Sequence, residues 1–97
     1  MATYITLCNF TEKGVREIKD TLTRTEAAKS LAKQFGATIK EVLRLQGQYD
    51  LIVIFDATDE IAMTSLLLNT IRAGNIRGET MRAFTAGEMA KILEKVT

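Results

Sequence analysis

The segment Leu51–Phe55 constrains the fold more than any other part of the chain, because it is apolar on both sides of an extended backbone. Its sequence, Leu-Ile-Val-Ile-Phe, is rich in β-branched and aromatic side chains, which favour a strand. Successive side chains of a strand point to opposite faces, so the odd-numbered and even-numbered residues each form an apolar face. Both faces therefore need a cover, and we expect helices of the same chain on one side and a second copy of the chain on the other.

The composition predicts one small domain that associates with copies of itself. The chain has 97 residues, enough for a single domain spanning residues 1–97. A chain of this size buries only about 60–65% of its unfolded surface, so association would add to a thin core. Lysine and arginine total 13 against 12 acidic residues, with no basic block. This charge balance predicts no nucleic-acid partner.

The N-terminus and the cysteine content predict a cytoplasmic protein. No apolar run approaches the roughly 20 residues that span a bilayer, so no membrane association is predicted. The opening Met-Ala-Thr-Tyr-Ile lacks the positive segment and the apolar stretch of a signal peptide. The single cysteine, Cys8, cannot form an internal disulfide, which is typical of a reducing compartment.

The lack of histidine argues against a metal site or a bound cofactor. Histidine is the commonest metal ligand and the commonest acid–base group at neutral pH, and the chain contains none. Asp56, Asp59 and Glu60 form an acidic cluster, but they stand at a predicted helix start, where carboxylates stabilise the positive end of the helix dipole. We therefore predict no metal and no cofactor.

The first third of the chain is predicted to form a strand and a long helical region. Residues 3–10 are β-branched and aromatic, which predicts a strand, and Thr11 is suited to cap the helix that follows. Gly36 ends the apolar helical stripe. Thr23 and Glu26 have the spacing of a capping box, so the helix either restarts near Thr23 or continues through it.

The second strand is predicted over residues 37–46. Its alternation places Ile39, Leu43 and Leu45 on one face, opposite a mostly polar face. The short Gln46-Gly47-Gln48 segment predicts a hairpin turn that makes this strand the antiparallel neighbour of the strand at Leu51.

The remaining elements are a helix, a strand and a final helix. Thr58 or Asp59 is suited to cap the second helix, which ends at residues 74–75. Residues 76–84 predict a weaker fourth strand, and Thr85 with Glu88 forms a second capping box before an amphipathic C-terminal helix.

The element order βαββαβ predicts an α+β, ferredoxin-like fold with a four-stranded antiparallel sheet and an added C-terminal helix. Right-handed crossovers of two β-α-β units place the strands in the order 4-1-3-2. Strands one and three, whose residues are non-polar on both faces, would then be central. The hydrophobic pattern and the topology therefore agree.

Three segments, residues 2–11, 47–51 and 75–84, together make the chain resemble the GYD family over nearly its whole length. Family members commonly read Gly-Glu-Tyr-Asp where Gly47-Gln48-Tyr49-Asp50 stands here, and often carry a proline in place of Leu22. The resemblance implies a dimeric α/β barrel, in which two ferredoxin-like sheets pack face to face, and it implies no particular reaction. A looser similarity is to the effector-binding domains of leucine-responsive regulators, which also associate through their sheets.

Gly47, Tyr49 and Asp50 are the first candidates for ligand binding. A phenol and a carboxylate beside a cleft between subunits could bind an amine or a hydroxyl group. The structural alternative is that glycine permits the turn while the aspartate accepts backbone N–H groups at the entrance of the strand. The structural interpretation is favoured, and the two are compatible.

Tyr4, Cys8, Arg44 and Arg82 are further candidates on the strands. Tyr4 and Cys8 share a strand face with Thr6, but a cysteine on a central strand is usually a small buried hydrophobe. Arg44 and Arg82, with Arg77, could hold an anionic group, although such arginines more often pair with neighbouring glutamates such as Glu41 or Glu79.

Two functional classes remain open on sequence alone, with a purely structural role as a third. One is a non-enzymatic regulatory or binding module that forms a homodimer or higher homo-oligomer through the sheet face and holds a small molecule. The other is a dimeric-barrel enzyme, a small monooxygenase or isomerase that works without histidine. The lack of a nucleophile–base pair favours the binding module.

Overall fold

The computed structural model describes residues 1–97 and contains one antiparallel sheet with the strand order β2-β3-β1-β4. This order is the predicted 4-1-3-2, and it confirms the ferredoxin-like α+β fold. Strands β1 and β3 are central, and Ile5 of β1 lies opposite Ile54 of β3. The strands are β1 (Ala2–Phe10), β2 (Ala37–Arg44), β3 (Leu51–Ala57) and β4 (Ile76–Ala83).

The four helices connect and extend these strands. They are α1 (Glu12–Arg16), α2 (Thr21–Gln34), α3 (Glu60–Arg72) and α4 (Ala86–Leu93). Thr11, Asp59 and Thr85 cap α1, α3 and α4. Thr11 and Thr85 are the predicted caps, and for α3 the structure selects Asp59 from the predicted pair Thr58 and Asp59. No helix has both the length and the apolar character required to traverse a bilayer.

The sheet has a covered face and an open face. On the covered face, helices α2 and α3 bury the odd-numbered residues of β3 and the even-numbered residues Tyr4, Thr6 and Cys8 of β1. The open face carries apolar side chains that remain partly exposed, because no element of the chain lies over them. The open face comprises Ile5, Leu7, Leu43, Ile52, Ile54 and Met81, together with flanking polar residues.

The helical region after β1 breaks earlier than Thr23. Helix α1 ends at Arg16, a 3-10 turn spans Ile18–Asp20, and Thr23 lies inside the continuous helix α2. Arg24 stabilises the break, since its guanidinium donates to the carbonyl oxygen of Glu17 at 2.7 Å. The prediction of a restart at Thr23 is therefore wrong by a few residues. Leu22 lies in the first turn of α2, where a proline would be tolerated.

Strand β2 departs from simple alternation because of a bulge at Lys40. The register with β3 shifts between Ile39 and Glu41, which turns Ile39 toward the helices and leaves Leu43 on the open face. The prediction that Ile39 and Leu43 share a face is therefore wrong. Strand β2 also ends at Arg44, so the connection to β3 is the loop 45–50 rather than a tight hairpin turn.

Helix α1 holds the C-terminal end of α3 and the start of β4 in place. The Thr11 hydroxyl donates to the carbonyl oxygen of Gly74 at 2.6 Å, and the Thr11 amide donates to that of Asn75 at 3.1 Å. Gly14 makes this approach possible, since a Cβ atom there would lie 2.1 Å from the same Asn75 oxygen. Thr11 and Gly14 thus hold the segment between α3 and β4 against the start of α1.

Helix α4 is well capped but contributes no buried residue. Thr85 and Glu88 form the predicted capping box, and Arg82 pairs with the Glu88 carboxylate at 2.7 Å. Its apolar side chains are partly exposed, and the whole chain extends over 51 × 31 × 18 Å. The exposed apolar residues on and after α4 are Met89, Ile92, Leu93 and Val96.

Candidate functional site

A cavity of about 280 Å³ lies between the covered face of the sheet and helices α2 and α3. Fifteen of the 22 residues that line it are hydrophobic. Strands β1, β3 and β2 form its floor, and the two helices form its walls. Protein interiors are close-packed with few voids larger than a water molecule, so a space of this size is a candidate binding site.

The cavity exists because the two helices pack on opposite edges of the sheet. Helix α2 packs chiefly on β2, whereas α3 packs chiefly on β4. Gly78 favours the second contact, since a Cβ atom there would lie 3.4 Å from Leu67 of α3 and 3.0 Å from Thr6. The α2 wall includes the small side chain of Ala28, which does not fill the space between the helices.

The lining carries little free charge. Arg24 is its single charged residue, and the guanidinium of Arg24 lies 3.5 Å from the carboxylate of Glu17. The buried Thr6 hydroxyl is hydrogen-bonded to that of Thr80 at 2.8 Å. Burial raises the pKa of the Cys8 thiol to about 11, so this group is neutral at physiological pH. The cavity therefore offers a mainly apolar environment, in which the one charged lining residue is already paired.

The predicted site residues Gly47, Tyr49 and Asp50 lie in the loop at one end of the sheet. Gly47 has a φ of +113°, a conformation that favours glycine. The Asp50 carboxylate accepts a hydrogen bond from the Phe10 amide at 2.9 Å, and the Asp50 amide donates to the Cys8 carbonyl oxygen at 2.8 Å. The contacts of Asp50 join the loop to the end of β1, and Gly47 permits the turn, so both residues have a structural role.

Tyr49 lies near the open face rather than the cavity. Its hydroxyl is 3.3 Å from the carboxylate of Glu79. Glu79 of β4 is the register partner of Leu7 of β1, so its side chain lies on the open face. The side chain is half-buried. A molecule bound against the open face could therefore contact this phenol.

Tyr4 and Arg82 lie together at the opposite end of the sheet. The Arg82 guanidinium is 5.7 Å from the centre of the Tyr4 ring and 4.6 Å from that of Phe84. Its hydrogen bond to Glu88 raises the pKa of the guanidinium and lowers the pKa of that carboxyl to about 2. Arg82 thus anchors α4, and its partner is Glu88 instead of the expected Glu41 or Glu79.

Arg44 occupies a third position, at the edge strand β2. Its guanidinium donates to the hydroxyl of Thr25 on α2 at 2.8 Å, which ties that helix to the strand. The structure therefore does not bring the six predicted ligand-binding residues together. For example, Tyr4 lies about 13 Å along β1 from Cys8, whose carbonyl oxygen accepts from the Asp50 amide, so Tyr4 and Asp50 are far apart. None of the six lines the cavity, and their ligand-binding role stays a prediction.

Sequence reasoning missed the cavity residues on the helices. Asn75 lines the cavity and its Oδ1 atom is buried without a hydrogen-bond partner, whereas its position after Gly74 indicates only a helix end. The sequence signal that could have indicated the cavity is the pair of small residues Thr25 and Ala28 on α2, because they leave space above the large residues of β3.

Comparison with known proteins supports the fold. No functionally curated protein matches the chain. The crystal structure of FFRP-DM1 superposes with a TM-score of 0.57 at 23% identity, covering 87% of this chain and 100% of that one. The protein TTHA0845 from Thermus thermophilus gives a TM-score of 0.56 at 22% identity, covering 89% and 96%.

A third similar structure is a homoserine dehydrogenase from Thiobacillus denitrificans, with a TM-score of 0.51 at 16% identity. The match covers 84% of this chain but only 16% of the enzyme, so it concerns a small part of that protein. All three similarities describe the fold alone. The profile of the GYD domain matches residues 4–93, nearly the whole chain, and the protein therefore belongs to the GYD domain family.

Proposed function

We propose that this protein is a non-enzymatic, oligomeric module that binds a small apolar molecule in the cavity between the helices and the sheet. The observation that carries the proposal is the cavity itself, about 280 Å³ in volume and lined mostly by hydrophobic residues. Small-molecule sites are typically apolar clefts of roughly 300–1,000 Å³ with a few polar groups, and the volume of this cavity lies just below that range. The single reduced cysteine, Cys8, supports a cytoplasmic setting.

The chemistry of the lining supports binding over catalysis. Cys8 is the strongest nucleophile among the lining residues, but with a pKa of about 11 it is a thiol rather than a reactive thiolate at neutral pH. Arg24 is already paired with Glu17. The alternative, a monooxygenase or isomerase of the dimeric-barrel type, would require an acid–base group with a pKa shifted toward neutrality. The binding module requires only shape and an apolar surface.

The open face supports self-association. Its apolar side chains form two adjacent rows across the sheet, one through Ile54, Ile5 and Met81 and the other through Leu43, Ile52 and Leu7. Four strands of this length present about 500 Å² per copy, or about 1,000 Å² for two copies. That total lies just below the size of a standard specific interface, roughly 1,200–2,000 Å².

Helix α4 provides the additional apolar area that such an interface needs. It follows β4 at the edge of the sheet, and none of its residues is buried within its own chain. Its exposed side chains Met89 and Leu93 would become buried against a second copy that packs on the open face. We therefore include α4 in the proposed interface.

Strand β3 connects the two proposed surfaces. Val53 lines the cavity, whereas its neighbours Ile52 and Ile54 point to the open face. A second copy that packs on the open face would thus fix the position of the cavity floor. Under this proposal, assembly and ligand binding strengthen one another through a shared strand.

The proposal is tested by filling the cavity. In the Ala28→Phe variant the added ring occupies the space between α2 and the sheet, whereas Ser30→Phe adds the same ring to the exposed side of the same helix. Small apolar probes such as naphthalene should raise the melting temperature of the wild type and of Ser30→Phe, but not that of Ala28→Phe. Two outcomes would contradict the proposal. In one, the probes stabilise both variants equally; in the other, they stabilise none of the three proteins.

A further inference from the structure

Residues 11–20 form a strap between β1 and α2 that contributes little to the core. The strap consists of the cap of α1, α1 itself and the 3-10 turn, and Gly14 is its only buried residue. Its two large apolar residues, Val15 and Ile18, are 57% and 41% exposed, and no residue of the strap lines the cavity. The importance of the strap therefore lies in the elements that it connects.

One end of the strap is fastened to the C-terminal end of α3 and the start of β4. The Thr11 hydroxyl donates to the carbonyl oxygen of Gly74 at 2.6 Å, and the Thr11 amide donates to that of Asn75 at 3.1 Å. Lys13 Nζ donates to the carbonyl oxygen of Ala73 at 3.0 Å. Ala73 and Asn75 line the cavity, so this attachment lies at the edge of the cavity.

The other end of the strap is held to α2 by the guanidinium of Arg24. Its Nη2 atom donates to the carbonyl oxygens of Glu17 and Gly14 at 2.7 and 3.4 Å. Its Nη1 atom lies 3.5 Å from the Glu17 carboxylate. Because Arg24 also lines the cavity, the strap runs from one wall of the cavity to the other.

The strap bridges two helices that touch each other little. Helix α2 packs chiefly on β2 and α3 chiefly on β4, so neither helix fixes the position of the other directly. At the end of the cavity where α2 begins and α3 ends, the hydrogen bonds of the strap provide that link. Hydrogen bonds from a charged group are among the stronger ones in proteins, so Arg24 is in a position to hold the two walls at a fixed separation.

We propose that the strap limits the width of the cavity, and that Arg24 thereby sets the size of the largest ligand that the cavity admits. The volume of about 280 Å³ corresponds to on the order of ten non-hydrogen atoms, if each takes about the volume of a water molecule. Naphthalene, with ten carbon atoms, meets this limit, whereas anthracene, with fourteen, exceeds it. This inference rests on the proposed function, because it concerns which ligands the same cavity accepts.

The test compares these two hydrocarbons by fluorescence titration, since both are fluorescent. Anthracene has the larger apolar surface, so a site without a size limit should bind it more tightly. The wild type should reverse this order and bind naphthalene at least about tenfold more tightly, because a larger ring system strains the packed walls of the site. Arg24→Met keeps an unbranched side chain but loses the hydrogen bonds to the strap. In this variant anthracene should bind at least as tightly as naphthalene.

Two further variants sharpen the test. Arg16→Met is the matched control, because Arg16 pairs with Glu12 within the strap at 3.7 Å, and it should keep the wild-type preference. Arg24→Gln retains a polar group, but its side chain ends two bonds short of the guanidinium nitrogen that binds the strap. It should shift the preference in the same direction as Arg24→Met, so the test is decided even if Arg24→Met fails to fold.

The outcomes separate this inference from the function on which it rests. An unchanged preference in the Arg24 variants, or an equal loss of preference in Arg16→Met, would overturn the role of Arg24 and leave the binding site in place. Tighter binding of anthracene by the wild type would have the same meaning, since the cavity would then have no size limit in this range. Binding of neither hydrocarbon to the wild type would overturn both proposals. A general loss of stability would weaken the binding of both probes without reversing their order.

Discussion

The two faces of strand β3 differ in how they satisfy the same hydrophobic pattern. On the covered face, Val53 and Phe55 are buried, yet the layer above them contains a cavity. On the open face, Ile52 and Ile54 remain partly exposed, yet they form a continuous apolar surface with the neighbouring strands. Burial and close packing are therefore separate properties here, and the face that is hidden from water is the one with space for a ligand.

The largest expected effect comes from truncating adjacent residues of β3. Phe55→Ala should lower the free energy of unfolding by about 3 kcal/mol or more, because a large buried ring is lost from the covered face. Ile54→Ala should lower it by about 1 kcal/mol in the monomer and should act mainly on assembly. Urea denaturation at low protein concentration measures both. Similar losses for the two variants would mean that the faces are equivalent within one chain.

The next effect concerns the open face alone. Ile54→Asp places a carboxylate in the middle of the proposed interface and should weaken self-association by at least about 100-fold, as expected for an unpaired charge at a buried contact. Leu68→Asp is the matched control, since Leu68 is 61% exposed on the outer side of α3. Sedimentation equilibrium distinguishes them. Dissociation by Leu68→Asp but not by Ile54→Asp would move the interface to the helices.

A smaller effect is expected at the loop 45–50, which connects β2 to β3. Asp50→Ala removes the acceptor of the Phe10 amide and should cost about 1–2 kcal/mol of folding free energy. Asp50→Asn retains a side-chain oxygen and should recover most of this loss. If both variants are stable but no longer bind the small apolar probes, this loop contributes to ligand binding, as the sequence interpretation allowed.

The smallest effect is a pH dependence of helix α4. The folded-state pKa of Glu88, about 2, lies below its usual value of 4.5, so the pair with Arg82 stabilises α4 fully above pH 4.5. That contribution should disappear as the pH falls toward 2. Hydrogen exchange of residues 86–93 at several pH values measures it, and Glu88→Gln should remove the dependence. A wild-type profile as flat as that of the variant would contradict the assignment.

The strand order and the helix caps were accessible from the sequence because they depend on local patterns. The apolar run at residues 51–55 predicted a central strand, and Thr11, Asp59 and Thr85 predicted the helix starts. The bulge at Lys40 was not accessible, because inserting one residue into a ladder depends on the partner strand. It changed the face on which Ile39 lies.

The candidate site was less accessible, since it depends on distances between elements. The cavity arises from the packing of α2 and α3 on opposite edges of the sheet, which no local pattern reports. The contacts that Asn75, a lining residue, makes with Thr11 and Gly14 join residues that lie far apart in the chain. Arg82 and Asp50 were singled out as ligand-binding candidates, and the structure gives both residues partners within the fold.

The single cysteine supplies a means of observing the cavity from within. Cys8 lies on its floor as the only sulfhydryl of the chain, and its suppressed ionisation means that alkylating reagents should label it slowly at neutral pH and faster in alkaline solution. A guest molecule would shield the sulfur further. The rate of labelling, followed by the mass of the intact protein, thus becomes a direct readout of occupancy that needs no introduced tag.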